Sequence, residues 1–241
     1  MPENPEAPKR RIKASVAIKR AVFYLTGLFI LALAISIAVR SDLGVSPVSS
    51  MYLSLSNVTG IEFGNATMIV LCVYTLAQAA ILRREFKWYQ LLQILCAVLF
   101  GKFVTLTGGL VAFMQPSNYL ERLGMIVLST VLIAVAMKLY MLADLVPNPA
   151  DGLVAVIAKK FNLKFANVKN VFDLSSVAVA SALSLIFLGR LEGLREGTLL
   201  AALGVGRVIA LIDRIDNGRL RRFVFEEVAA PAPCAEADAH S

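Results

Sequence analysis

Histidine is all but missing from this 241-residue chain, since His240, next to the C-terminus, is its only one. A histidine-based metal site or a catalytic Ser/His relay is thereby excluded. The three cysteines, Cys72, Cys96 and Cys234, show neither a pairing pattern nor metal-ligand spacing. No glycine-rich phosphate loop and no clustered pair of acids stands out either, so the chain reads as no enzyme, with no metal and no cofactor. Charge is also scarce, at 17% of residues. What fills the sequence is hydrocarbon: 58% of residues are hydrophobic and the mean hydropathy is +0.71. A soluble domain of this size is not so apolar.

The apolar residues lie in long runs. A helix needs about 20 of them to cross a bilayer. Six stretches approach that length: 21–39, 65–82, 89–107, 123–143, 170–188 and 197–213, the last with Arg207 near its middle. Lysine and arginine orient them. With the N-terminus inside, 17 of the 24 basic residues fall in inner segments and only Arg40, Arg122, Arg190 and Arg195 in outer ones. That asymmetry predicts both termini in the cytoplasm. The formal net charge of +7 then belongs to a cytoplasmic rim beside anionic headgroups and argues against nucleic acid as a partner. Ser36-Ile37-Ala38 imitates a signal cleavage site, but the apolar run before it is too long for a signal peptide. The expected organisation is a basic cytoplasmic tail over 1–19, a membrane domain over 20–218, and a disordered, Ala/Pro-rich cytoplasmic tail over 219–241.

A pattern recurs after 102 residues. Asp42-Leu43-Gly44-Val45-Ser46-Pro47 precedes Phe63-Gly64-Asn65, and Asp144-Leu145-Val146-Pro147-Asn148-Pro149 precedes Phe165-Ala166-Asn167. Each half reads as span, motif, short helix, span, span. Three spans are an odd number, so the second half must start on the opposite face from the first. The predicted fold is therefore an all-α membrane protein with six transmembrane helices as two inverted three-helix repeats, about 20–112 and 122–217.

The motif also predicts a broken helix in each repeat. Ser46 and Asn148 are good N-cap residues, and Pro47 and Pro149 suit the first helical turn. Helices over 47–58 and 149–161 would each measure about 18 Å at ~1.5 Å per residue, too short to cross. Gly60 and Asn162 follow at matching places, as left-handed C-caps. Such helices either lie at the interface, with Val48, Met51, Tyr52, Leu55 and Val58 opposite Ser49, Ser50, Ser54 and Asn57, or re-enter the protein with their N-termini facing a cavity. Sequence leaves both open.

The first motif, with Phe100-Gly101-Lys102-Phe103 and Glu196-Gly197-Thr198, resembles the bacterial YczE/YyaS/YitT family of membrane proteins over about residues 20–218. Family members often carry Gly-Pro where this chain has Gly206-Arg207. The resemblance implies a multi-pass protein of the bacterial inner membrane and says little of a substrate.

Lys102 and Arg207 fall inside spans, where a charge costs roughly 2.5–3.5 kcal/mol on insertion scales and usually faces protein or water. Together with Ser46, Pro47, Asn148 and Pro149 they form the expected substrate site; the alternatives are a structural ion pair or, for Lys102, snorkelling. Asp173 and Lys138 are expected to pair within the membrane or to serve coupling, and Asp42 and Asp144 to act as caps or gate elements. The leading functional expectation is a transporter or exporter of a small anionic or zwitterionic solute, alternating between the two halves. A non-transporting scaffold or accessory subunit is the competing class, and a substrate-capture subunit served by a separate ATPase a third. The expected partners are the lipid bilayer and a small-molecule solute, and a homodimer or a partner membrane protein is left open.

Overall fold

The computed structural model describes residues 14–86, 88–143, 145–189 and 195–216. Residues 1–13 of the expected N-terminal tail, the expected C-terminal tail, Asp144 and Cys234 lie outside them, while residues 14–19 of the first tail belong to the first helix. The described residues form eight α-helices and no strand: α1 (Ala14–Ser41), α2 (Pro47–Thr59), α3 (Phe63–Leu82), α4 (Leu92–Leu110), α5 (Tyr119–Ala143), α6 (Pro149–Lys160), α7 (Phe165–Leu188) and α8 (Glu196–Asp216). Five of them, α1, α3, α4, α5 and α7, are long and apolar enough to cross a membrane. The expected sixth span is not among them. α8 covers the sixth stretch, but Glu196, Arg207, Asp213 and Arg214 keep it outside that class.

The two proline-initiated helices form where the motifs place them. Ser46 and Asn148 are their N-caps, and Asn148 Oδ1 accepts from the Ala150 amide at 3.1 Å. Gly60 ends α2 in the left-handed region (φ 70°), and Asn162 adopts the same region (φ 52°) just beyond α6. α2 does not turn its serine face to water. Its buried residues are Ser49, Ser50, Tyr52 and Ser54, so the serine face turns into the protein rather than towards water. There Ser54 Oγ donates to the Ala180 carbonyl (3.1 Å) and meets Ser184 Oγ at 3.0 Å, both on α7.

α1 and α5 pack along their whole lengths and run antiparallel. Arg20 Nε donates to the Ala143 carbonyl at 2.7 Å at one end, and Ser129 Oγ to the Ala34 carbonyl at 2.7 Å further along. Small residues permit this approach. Ala32, Ala34, Ala134 and Ala136 are all fully buried. A Cβ on Gly27 would sit 2.8 Å from the Tyr140 amide nitrogen.

The remaining helices wrap this pair. α4 packs on α1 and α8 on α5; α2 lies across α7 and α6 across α3. Each contact recurs when every helix is exchanged for its counterpart in the other half. The extensive packing of α3 along α4, with Gly64 against Gly101, does not recur: α7 and α8 have no comparable contact among the described residues.

Gly27→Val forces a branched side chain into the Tyr140 backbone and should destabilise the protein by about 1–3 kcal/mol, the usual cost of overpacking. Gly108→Ala, in open space on α4, is the control and should leave the melting temperature unchanged or slightly raised. Thermal unfolding of the detergent-solubilised variants checks both.

Candidate binding cavity between the two halves

Both motif helices begin at one cavity. It measures about 230 Å³ and is walled by parts of α1, α2, α4, α5, α6, α7 and α8. Ser46, Pro47, Val48 and Ser49 bring the start of α2 to it, and Asn148, Ala150 and Asp151 the start of α6. Both helix N-termini thus face a cavity, as the re-entrant alternative expects. The pairs Leu31 and Ile133, Ile35 and Met137, Ser46 and Asn148, Val48 and Ala150, and Ser49 and Asp151 all line it. Each pair is separated by 102 positions.

The two helix starts differ chemically. Asn148 caps its own helix, and Asp151 in the first turn sets a negative charge against the positive end of the helix dipole. Ser46 makes no such cap; its hydroxyl donates instead to Ser49 Oγ at 2.8 Å. The first-turn amides of α2 are thus left without a side-chain acceptor. On α3, Gln78 fixes the start of α6. Its Nε2 donates to Gln93 Oε1 at 2.8 Å and to the Pro149 carbonyl at 3.0 Å, all buried. Gly152 allows that approach, since a Cβ there would meet Gln78 Oε1 at 2.9 Å.

The charge in the cavity comes from three residues. Lys169 Nζ lies 3.3 Å from Asp151 Oδ1 and 3.0 Å from Asp173 Oδ1, each side chain a little under one-third exposed. Tyr140 adds a hydroxyl to Asp151 Oδ2 at 3.3 Å. Asp173 Oδ1 is fully enclosed and has no hydrogen-bond partner, so its 3.0 Å contact with Lys169 is one of charge without aligned donor geometry. Lys169 also stands 5.9 Å from the Phe172 ring centre, and Phe172 meets Tyr74 edge-on at 5.3 Å. Tyr52 closes the wall from α2. Burial, and after it Tyr74, Asp151 and Asp173, holds its hydroxyl protonated well above the ordinary range.

The expected site residues divide. Ser46, Pro47, Asn148 and Asp173 line the cavity, and Pro149 stands behind it through its carbonyl. Lys102 and Arg207 do not: both are exposed on the outer surfaces of α4 and α8. Lys102 falls in a stripe with Leu91, Leu95, Val98 and Leu106, the face that α4 turns away from its neighbours. The expected Asp173–Lys138 pair is replaced by Asp173–Lys169, because Lys169 lies one turn below Asp173 on the same helix. Lys138 is half-buried and away from the cavity. Asp42 is held at the far end of α1 by Arg122 Nη1 at 3.0 Å and Arg195 Nη1 at 3.3 Å. Arg195 also donates to the Asp42 carbonyl at 2.9 Å. Asp144 lies outside the described residues.

Asp151, Lys169, Tyr140 and Gln78 do not stand out in the sequence: Lys169 sits in a basic stretch that charge counting assigns to the inner rim, and Asp151 within a short helix. The repeat itself held the missing signal, since Asp151 stands where the first half has Ser49, a polar position facing the same cavity.

Comparison with known proteins bears on the class. Residues 18–214 match the family described as a family of unknown function, DUF6198. The chain is also similar to the uncharacterised membrane protein YczE of Bacillus subtilis (strain 168), 27% identical over 166 residues, covering 68% of this chain and 74% of that protein. No solved structure matches.

Lys169→Met leaves two carboxylates facing one another and should lower the melting temperature strongly, in the direction of the ~3–5 kcal/mol seen when a buried ion pair loses one partner, lessened here by partial exposure. Adding Asp173→Asn removes one of the uncompensated charges and should restore part of the loss. Thermal unfolding of the single and double variants measures the coupling.

Proposed function

The chain belongs to the YczE-like family of unknown function, DUF6198, and we propose that this member carries a small zwitterionic solute across the bacterial inner membrane. The observation that carries the proposal is the cavity whose walls hold five residue pairs 102 positions apart, beside the antiparallel α1–α5 pair. In this reading the halves are inverted repeats, α8 is a sixth span, and the solute site lies where the two broken helices meet. Transporters commonly bind solutes between such repeats, near the midplane, at half-helix N-termini. The basic residues around the start of α1, the α3–α4 connection and the α6–α7 turn support a cytoplasmic position for that face.

The lining selects the solute. With Lys102 and Arg207 turned outward, the cavity lacks the two cations an anion would use. It offers two carboxylates against one ammonium on the α6–α7 side and the uncapped start of α2 on the other. A solute with an ammonium at one end and a carboxylate at the other satisfies both. The volume lies below the ~300–1,000 Å³ of drug-sized sites, which fits a compact solute. The Asp42–Arg122–Arg195 cluster ties the ends of α1, α5 and α8 together and closes the face opposite the cytoplasmic one.

An accessory-subunit reading draws on one different observation, the Lys102 stripe. A charge midway along a lipid-facing helix surface is better satisfied against a second copy or a partner membrane protein than in hydrocarbon.

Counterflow into proteoliposomes, with labelled glycine, proline and glycine betaine, separates the readings. At least one of these should exchange, and Ser49→Phe, which fills the cavity, should cut that exchange by roughly tenfold or more, with Lys102→Leu and Arg207→Leu within about twofold of the unmodified protein. Exchange of none of them, or a Ser49→Phe protein that exchanges normally, contradicts the transport reading.

A further inference from the structure

We propose that Asp173 is a proton-binding site, and that the protein exchanges its solute for a proton competing for that one carboxylate. The inference deepens the transport reading and rests on it. It begins with charge balance: Asp151 and Asp173 share Lys169, so one negative charge remains over in a largely apolar cavity. An uncompensated carboxylate in such surroundings takes up a proton or a cation.

Geometry identifies which carboxylate and which cation. Asp151 is supported by Tyr140 as well as by Lys169 and by its place in the first turn of α6. Asp173 has an enclosed oxygen without a hydrogen-bond donor. The charged and titratable groups facing it are Asp151 from α6, Lys169 on its own helix, Tyr52 from α2 and Tyr74 from α3, with Tyr140 of α5 behind Asp151. Among the described residues no three acidic, cysteine or histidine side chains group to hold a metal. A metal ion would also have to sit beside the Lys169 ammonium. A proton adds to Asp173 without displacing that ammonium, which then belongs to Asp151 alone.

The other half of the molecule supplies the control. Positions 102 residues before Lys169 and Asp173 are Thr67 and Leu71, both fully buried on α3, where they pack without any charge. The fold therefore does not need a lysine and an aspartate at these places on its second half. A solute ammonium and a proton would neutralise the same Asp173 oxygens, so occupancy by one excludes the other. Opposed movement follows, and solute binding should weaken as pH falls.

The test uses the full chain in lipid and needs no solute for its first arm. Infrared difference spectra across a pH titration should show a protonated-carboxyl C=O band that is lost in Asp173→Asn and kept in Asp151→Asn. Asp173→Glu, which keeps the acid, should shift the band and provides the readout if the asparagine variant does not fold. A band that survives Asp173→Asn, fails to shift in Asp173→Glu, or vanishes only in Asp151→Asn overturns the assignment. In the second arm, proteoliposomes holding glycine, proline or glycine betaine are given an inward proton gradient. Efflux should rise in the unmodified protein and lose that response in Asp173→Asn. Solute exchange that ignores the gradient overturns the coupling while leaving transport standing. A band that behaves as expected, with none of the three solutes moved, keeps the proton site and removes the coupling together with the transport reading.

Discussion

The close antiparallel packing of α1 on α5 is the constraint on which the rest depends. Two helices approach this closely only where side chains are small, and Gly27, Ala32, Ala34, Ser129, Ala134 and Ala136 supply that surface. The positions correspond across the 102-residue spacing, so each helix offers its partner what the partner offers in return. Larger side chains on the same two helices, Leu31, Ile35, Ile133 and Met137, then form one wall of the cavity. Seam and cavity are neighbouring surfaces of a single helix pair.

The short helices follow from that frame. Each begins at the cavity because a proline starts it there, and each is covered by the other half: α2 by α7, α6 by α3. Covering is necessary, since the broken backbone before each short helix must find protein or water for its polar groups. Gln78, Gln93, Ser54 and Ser184 do that work in buried positions that hydrophobicity alone would leave to leucine. The two halves nevertheless differ where chemistry is concerned. Serine and an open helix start face carboxylates and a lysine across the cavity.

Much of this was legible in the sequence because it rests on strong local signals. Pro47, Pro149, Gly60 and Asn162 mark the short helices within a residue or two, and the apolar runs mark the long ones. Membership of the YczE-like family was legible too, from the first motif. Side-chain direction was not. Lys102 and Arg207 stood out as charges within apolar runs, yet no periodicity in mostly hydrophobic helices tells which face meets the cavity, and both face outward. Lys169 was hidden for the opposite reason: it lies near a helix start, in a basic stretch that charge counting assigns to the rim, while its side chain reaches Asp151 on another helix. The serine face of α2 misled in the same way, since a polar stripe on a short helix reads as the water side until the partner helix is seen.

Thiol accessibility at the cavity tests the central claim most directly. Ser49→Cys, in a chain whose Cys72, Cys96 and Cys234 have been replaced by serine, places a single thiol where the two broken helices meet. Alternation between the halves predicts that a membrane-impermeant maleimide labels this cysteine when added to either side of sealed vesicles, and that a saturating transported solute slows labelling from both. Labelling from one side only, or from neither, would contradict a solute site that opens in turn to the two faces of the membrane.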